Sequence, residues 1–317
     1  MVEVNELSKN SRGGTELMLE RLHRTLPSDL LDKFQIIPSR VRDIDPNRIP
    51  ILWLHDLPND PESQHLRDPD LRKRFKKIIA VSDWQMQMYN ACLGLTYSES
   101  YVIKNGITPI DIDEKEFDGT VRIIYHTTPH RGLELLIPAF EELCKSHDNV
   151  QLDVFSSFSI YGWSHRDAPY QHLFERCRNH PKINYHGAVS NEHIREELKK
   201  SHIFAYPSTW PETSCLAAIE AMSAKNVLVC PNFAALPETT GNFANMYQWS
   251  EDPNEHVNRF HAVLDATVTE LTKNGPQSKR LEVQKLWADI SYNWEAQIAV
   301  KWKLLLQNLL LESQLKA

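Results

Sequence analysis

From residue 121 onward, short apolar runs alternate with stretches of helical spacing. Val121–Tyr125 is a β-branched run and predicts a strand. Gly132–Lys145 then places Leu133, Leu136, Ile137, Phe140 and Leu143 on one helical face. The alternation continues. Strands are predicted at Val150–Phe155, Ile183–His186, Ile203–Tyr206 and Val227–Cys230, with helices at Asn191–Lys200 and Cys215–Ala224. Such alternation signals βαβ units around a parallel sheet, and right-handed crossovers leave a doubly wound sheet as the main candidate.

The first hundred residues repeat the theme more loosely. Thr15–Leu26 has helical spacing, and Phe34–Ile37, Ile51–His55, Lys77–Val81 and Tyr101–Ile103 read as strands. Ser82-Asp-Trp-Gln85 has the form of a capping box and predicts a helix from Asp83 to about Cys92. A very short strand has room around Val2–Val4. The acidic segment Asp111–Gly119 lacks an apolar period, so the interdomain linker is expected there. The chain then divides into a reduced domain at 1–112, a second at 113–285, and a terminal helical segment at 286–317. Asn254–Lys273 and Asn293–Leu311 both carry helical spacing. The latter is expected to pack back toward the first domain; a peripheral membrane contact is the sharper reading, but few cations flank it.

Composition narrows the class. The 317 residues are 41% hydrophobic and 24% charged, which fits a globular protein that buries a large core. A net charge of −7 gives no overall attraction to nucleic acid. Five cysteines without a C-x-x-C pair argue against a disulfide framework or zinc ribbon. With no signal peptide and no apolar stretch of spanning length, cytoplasmic residence is the expectation.

Three stretches carry candidate chemistry. In Pro211-Glu-Thr-Ser-Cys-Leu-Ala-Ala-Ile-Glu220 one glutamate precedes a predicted helix and the other lies within it. The amides around Ser214, Cys215 and Leu216 then form a helix terminus suited to an anion. A loop carboxylate above it can meet sugar hydroxyls, and a helix carboxylate beside it can accept from a ribose. Gly13 and Gly14, in Arg12-Gly-Gly-Thr-Glu16, sit where a helix begins and let backbone approach a phosphate. His55, in Trp53-Leu-His-Asp-Leu-Pro58, lies at the carboxyl end of a predicted strand, where open α/β sheets bind ligands. Asp43-Ile-Asp45, Asp68-Pro-Asp70 and Asp111-Ile-Asp113 fit a metal-diphosphate pattern but read as surface turns.

Taken in order, Arg131-Gly-Leu-Glu-Leu-Leu136, Ile183-Asn-Tyr-His-Gly-Ala-Val-Ser190, Phe204-Ala-Tyr-Pro-Ser208, the Glu212/Glu220 pair and Leu236-Pro-Glu-Thr-Thr-Gly241 resemble retaining glycosyltransferases of family 4. The resemblance covers Val121–Gly241. It implies the GT-B fold, two Rossmann-like domains facing across a cleft, and transfer from a nucleotide-diphosphate sugar to an acceptor hydroxyl. Neither metal nor resident cofactor is expected. On this resemblance Glu220 binds the ribose and Glu212 the transferred sugar. The amides of Ser214 and Cys215, with Leu216 beside them, and the Arg131 guanidinium hold the diphosphate. Gly187 and Val189 border the base, the Gly13–Gly14 loop faces the diphosphate, and His55 serves the reacting centre. Many members carry a second basic residue about five positions before Arg131. Here that stretch is His126-Thr-Thr-Pro-His130, and His126 or His130 is the candidate substitute. Two readings compete. One is a non-catalytic nucleotide-sugar-binding subunit. The other is a two-domain sugar-nucleotide epimerase, which would need cleft carboxylates from both domains, and no such set stands out.

Overall fold

The computed structural model describes residues 13–315, so the strand expected around Val2–Val4 and Arg12 lie outside the described residues. Contacts divide the chain into two compact units. One contains Pro109–Asp289; the other contains Gly14–Thr108 together with the segment from Ile290 onward.

The latter unit opens with helices α1 (Gly14–Thr25) and α2 (Ser28–Leu31). Strands β1 (Phe34–Pro38), β2 (Ile49–Trp53), β3 (Lys77–Ala80) and β4 (Ser100–Val102) form a parallel sheet in the order β1-β2-β3-β4. Helices α3 (Pro69–Arg72) and α4 (Asp83–Leu93) lie between them in sequence. The capping box forms: Ser82 Oγ accepts from Gln85 N at 3.0 Å. The Gln85 side chain accepts from Val81 N at 2.8 Å, one residue upstream of the cap.

The other unit carries β5 (Val121–Tyr125), α5 (Leu133–Leu143), β6 (Val150–Val154), α6 (Gln171–Asn179), β7 (Ile183–Tyr185), α7 (Asn191–Lys200), β8 (Ile203–Ala205), α8 (Leu216–Ser223), β9 (Val227–Pro231), α9 (Leu236–Thr240) and β10 (Asn245–Tyr247). Helices α10 (Pro253–Asn274) and α11 (Lys279–Ser291) follow. All six strands are parallel, in the order β10-β9-β8-β5-β6-β7. Order reverses between β5 and β8, so this is a doubly wound sheet with its switch point there. Val121, Ile123, Ile124 and Tyr125 are all fully buried, as a central parallel strand requires.

Several elements depart from the sequence-based expectation. Helix α8 begins one residue later than predicted, because Cys215 is extended and acts as its N-cap. The single helix expected at Asn293–Leu311 is instead a π-turn at Trp294–Ile298 followed by α12 (Ala299–Gln314). Helices α6 and α11 were not anticipated, since each buries only three side chains in a polar sequence. Strand β10 has no apolar run; pairing with β9 recruits it to the sheet edge.

The segment from Ile290 onward belongs to the core of its unit. Trp294 and Trp302 are completely buried. The Trp302 ring meets Trp53 edge-on at 4.7 Å, and Trp294 Nε1 donates to Thr25 Oγ1 at 2.8 Å. Gly106 lies against Ile298 and Trp294; an added Cβ would stand 2.8 Å from Ile298 Cγ1. Trp302→Ala should therefore destabilise this unit by about 3–5 kcal/mol, read as a lowered urea midpoint.

Candidate active site

The switch point brings two loops side by side: the one leaving β5 and the one leaving β8. The β5 loop is ordered locally, with the Tyr125 hydroxyl donating to Thr128 O at 2.9 Å. It ends at Gly132, whose φ is +123°. A Cβ on Gly132 would stand 2.2 Å from Pro207 O, so only glycine lets the two backbones meet this closely.

That approach carries Arg131 to Glu212. Arg131 Nη1 donates to Glu212 Oε1, and the Tyr206 hydroxyl donates to the same oxygen. Glu212 is buried. Burial alone would lower the Arg131 pKa, but Glu212 and then Tyr206 hold it well above the usual range. Burial, followed by Glu212, pushes the Tyr206 hydroxyl well up, so Tyr206 remains a proton donor. Arg131 Nε is buried and has no partner among the described residues. A buried N–H of this kind is costly unless an acceptor arrives. The Trp210 ring lies 5.8 Å from the Arg131 guanidinium carbon.

Helix α8 starts just beyond Glu212. No acidic residue occupies its first turn, where a carboxylate would most directly oppose an anion at the N-terminus. Ser214 and Leu216 are half-buried around Cys215. Cys215 itself is buried, and burial, followed by Glu212, pushes its thiol far up, which rules it out as a thiolate nucleophile. Ala235 N donates to Glu212 O at 3.1 Å, tying the Leu236-Pro-Glu-Thr-Thr-Gly241 segment to the same loop.

Glu220 lies in the second turn of α8 and is buried. Its Oε1 accepts from Arg195 Nη1 at 3.2 Å and its Oε2 from Asn191 Nδ2 at 3.0 Å. Arg195 Nη2 also donates to Pro109 O at 3.2 Å. A carboxylate offers about four acceptor positions, so these bonds leave capacity for hydroxyl donors. Gly187, between β7 and α7, adopts φ +70° in open space, and Val189 nearby is half-buried. Ser190 caps α7 by accepting from His193 N at 3.2 Å.

The surroundings of the histidines bear on one expectation. His126 packs beside Phe204 at 4.8 Å, and burial lowers its pKa to about 3. His130 stacks on Phe158 at 5.1 Å; burial, then Arg131 and Arg166, lowers its pKa to about 4. Burial thus disfavours the cation at both positions. In the other unit, burial also lowers His55 to about 3. Its ring lies 4.7 Å from Trp53, and its amide donates to Ser39 Oγ at 2.8 Å. Burial thus keeps His55 a neutral imidazole rather than a cation. Gly14 opens α1, and Gly13 immediately before it is buried.

Arg131, Glu212, Ser214, Cys215 and Leu216 meet around the switch point, with Glu220 one turn along α8. Sequence reasoning gave no role to Tyr206, Asn191, Arg195 or Trp210. Asn191 and Arg195 carry a readable signal, because a four-residue spacing after the Ser190 cap puts them on one helix face. Among the described residues no group of three His, Cys, Asp or Glu could hold a metal ion. No described helix is long and apolar enough to cross a membrane.

The two parallel sheets match GT-B glycosyltransferase structures. A glycosyltransferase from Rickettsia africae superposes with a TM-score of 0.66 at 17% identity, covering 98% of this chain and 84% of that one. Anabaena HepE in complex with UDP-glucose gives 0.61 at 17% identity, covering 84% and 72%. The family description "Glycosyl transferases group 1" matches residues 112–275, and the chain belongs to that family. Among curated proteins, a phosphatidylinositol N-acetylglucosaminyltransferase subunit of Arabidopsis thaliana is 22% identical over 224 residues, or 64% of this chain and 47% of that protein. The GPI3 subunit of the same-named Saccharomyces cerevisiae enzyme is 24% identical over 125 residues, or 39% and 26%. The chain thus spans about half the length of the plant protein and a quarter of the yeast one.

Two outcomes follow for the site itself. Arg131→Met should cost about 3–5 kcal/mol in urea unfolding, because Glu212 is left buried without its cation; Arg131→Met with Glu212→Gln should recover much of that loss. Unfolded histidine titrates near 6.5, whereas folded His126 titrates at about 3. Between these values the unfolded chain binds more protons, so the stability due to a neutral His126 is full above 6.5 and lost as pH falls toward 3. His126→Phe should flatten the fall in thermal midpoint between pH 6.5 and 4.

Proposed function

We propose that this chain transfers a sugar from a nucleotide diphosphate to an acceptor hydroxyl, with retention of configuration and without a metal. The observation that carries the reading is the constellation at the switch point. Arg131 has a buried N–H with no partner among the described residues, the first turn of α8 carries no acidic residue, and Glu212 and Glu220 lie on either side of that turn. Preorganised donors of this kind stabilise charge that develops on a leaving diphosphate.

In this proposal the bond between the anomeric carbon and the phosphate oxygen breaks, and the acceptor oxygen bonds to that carbon. The acceptor proton passes to the departing phosphate oxygen. Arg131 and the amides of Ser214, Cys215 and Leu216 hold the diphosphate. Glu212 binds the transferred sugar, Glu220 the ribose, and the loop at Gly187 and Val189 the base. The proposed nucleotide is UDP, supported by neighbours of this fold solved with UDP or UDP-glucose. The names of the curated relatives favour N-acetylglucosamine as the sugar. The acceptor class is a carbohydrate or other hydroxyl compound.

A second reading is a nucleotide-sugar-binding subunit without turnover. The neutral states of His126 and His130, which leave Arg131 without a second cation from that loop, favour it.

Thermal-shift titration with UDP, GDP and ADP, each with and without EDTA, tests the donor site. UDP alone should raise the melting temperature, and EDTA should leave the shift unchanged. Glu220→Gln should weaken UDP binding about tenfold or more, the value of a charge-assisted hydrogen bond. Absence of a shift with all three nucleotides at millimolar concentration would count against the site as assigned.

A further inference from the structure

Trp210 is a large side chain that is 40% exposed, two residues before the buried Glu212. It is nevertheless held in place from several directions. Ser208, fully buried, donates its hydroxyl to Trp210 O at 2.9 Å and accepts from Trp210 N at 3.3 Å. Pro211 follows and restricts the Trp210 backbone to extended conformations. The His130 ring meets the indole edge-on at 5.2 Å and is itself backed by Phe158. Thr209 Oγ1 donates to His130 O at 3.1 Å, binding the two loops together. The Arg131 guanidinium, whose Nη1 is spent on Glu212, lies against the same indole.

An exposed indole costs free energy in water, and a side chain so constrained gains no compensating freedom. Its uncovered surface is a preformed apolar platform beside a carboxylate and a guanidinium. A pyranose needs such a combination: C–H groups on one ring face for the indole, and hydroxyls at the ring edge for a carboxylate. We infer that Trp210 is a stacking platform for the ring of the transferred sugar, with His130 as the residue that positions it. The inference rests on the donor site described above. It adds that affinity for the sugar, as distinct from the nucleotide, is set by this indole.

Calorimetric titration of the full chain separates the two claims. UDP should bind the wild type, Trp210→Ala and Trp210→Phe within about twofold of one another, which also reports that the variants fold. UDP-N-acetylglucosamine and UDP-glucose should bind Trp210→Ala about three- to tenfold more weakly than the wild type, in line with a lost aromatic contact. Trp210→Phe, which keeps a ring, should recover most of that loss. Unchanged sugar-nucleotide affinity in Trp210→Ala, with UDP still bound, would overturn the platform while leaving the donor site standing. So would equal wild-type affinity for UDP and both sugar nucleotides, or an equal loss for UDP and its sugars. A wild type that binds no UDP would remove the donor site and the platform together.

Discussion

The ion pair between Arg131 and Glu212 is the interaction around which the site is organised. Both charges are taken largely out of water, which costs several kcal/mol per ion before any attraction is counted. Attraction offsets that cost only with good geometry and additional hydrogen bonds. Here the geometry comes from Gly132, which lets the β5 loop touch the backbone at Pro207, and the extra bond comes from the Tyr206 hydroxyl. A side chain at residue 132 would force the loops apart. Arg131 would then lose its carboxylate, and Glu212 would keep only the Tyr206 hydroxyl as a partner for its buried charge.

The same burial distributes charge through the site. Imidazoles at His126 and His130 lose their protons because the low-polarity surroundings disfavour the cation. The Arg131 guanidinium keeps its own, since Glu212 and then Tyr206 hold it well above the usual range, and Arg195 pairs with Glu220. Two arginines therefore face two glutamates, and the site starts close to electrically balanced. An incoming anion is met by the Nε of Arg131, which has no partner among the described residues, beside the end of the sheet where α8 begins.

Much of the unit with the six-stranded sheet was legible because its elements are short, apolar and separated by clear helical stretches. Strand β5 and helix α7 have the predicted limits, and the Ser82 cap forms as its spacing required. Helices α6 and α11 were hidden, since a helix that buries three side chains leaves little periodic signal. Strand β10 was hidden for a different reason: Asn245-Met-Tyr247 becomes a strand only through its partner β9. Tyr206 stood in a quoted stretch without a role, because a tyrosine at a strand end looks like ordinary core until a buried carboxylate is found against its hydroxyl.

The sequence by itself determined the alternation of strands and helices, the parallel sheet, the glycine beside Arg131, and the two glutamates eight residues apart. These are local properties, set by side-chain type and spacing along one stretch of chain. Tertiary structure decided which charges meet. Arg131 is 81 residues from Glu212, and Arg195 is 25 from Glu220; only the strand order at the switch point brings each pair together. It also decided that His126 and His130 are neutral, because protonation depends on surroundings assembled from Phe204, Phe158 and Arg131. Burial and long-range pairing belong to the folded chain as a whole, so no local pattern could have disclosed them.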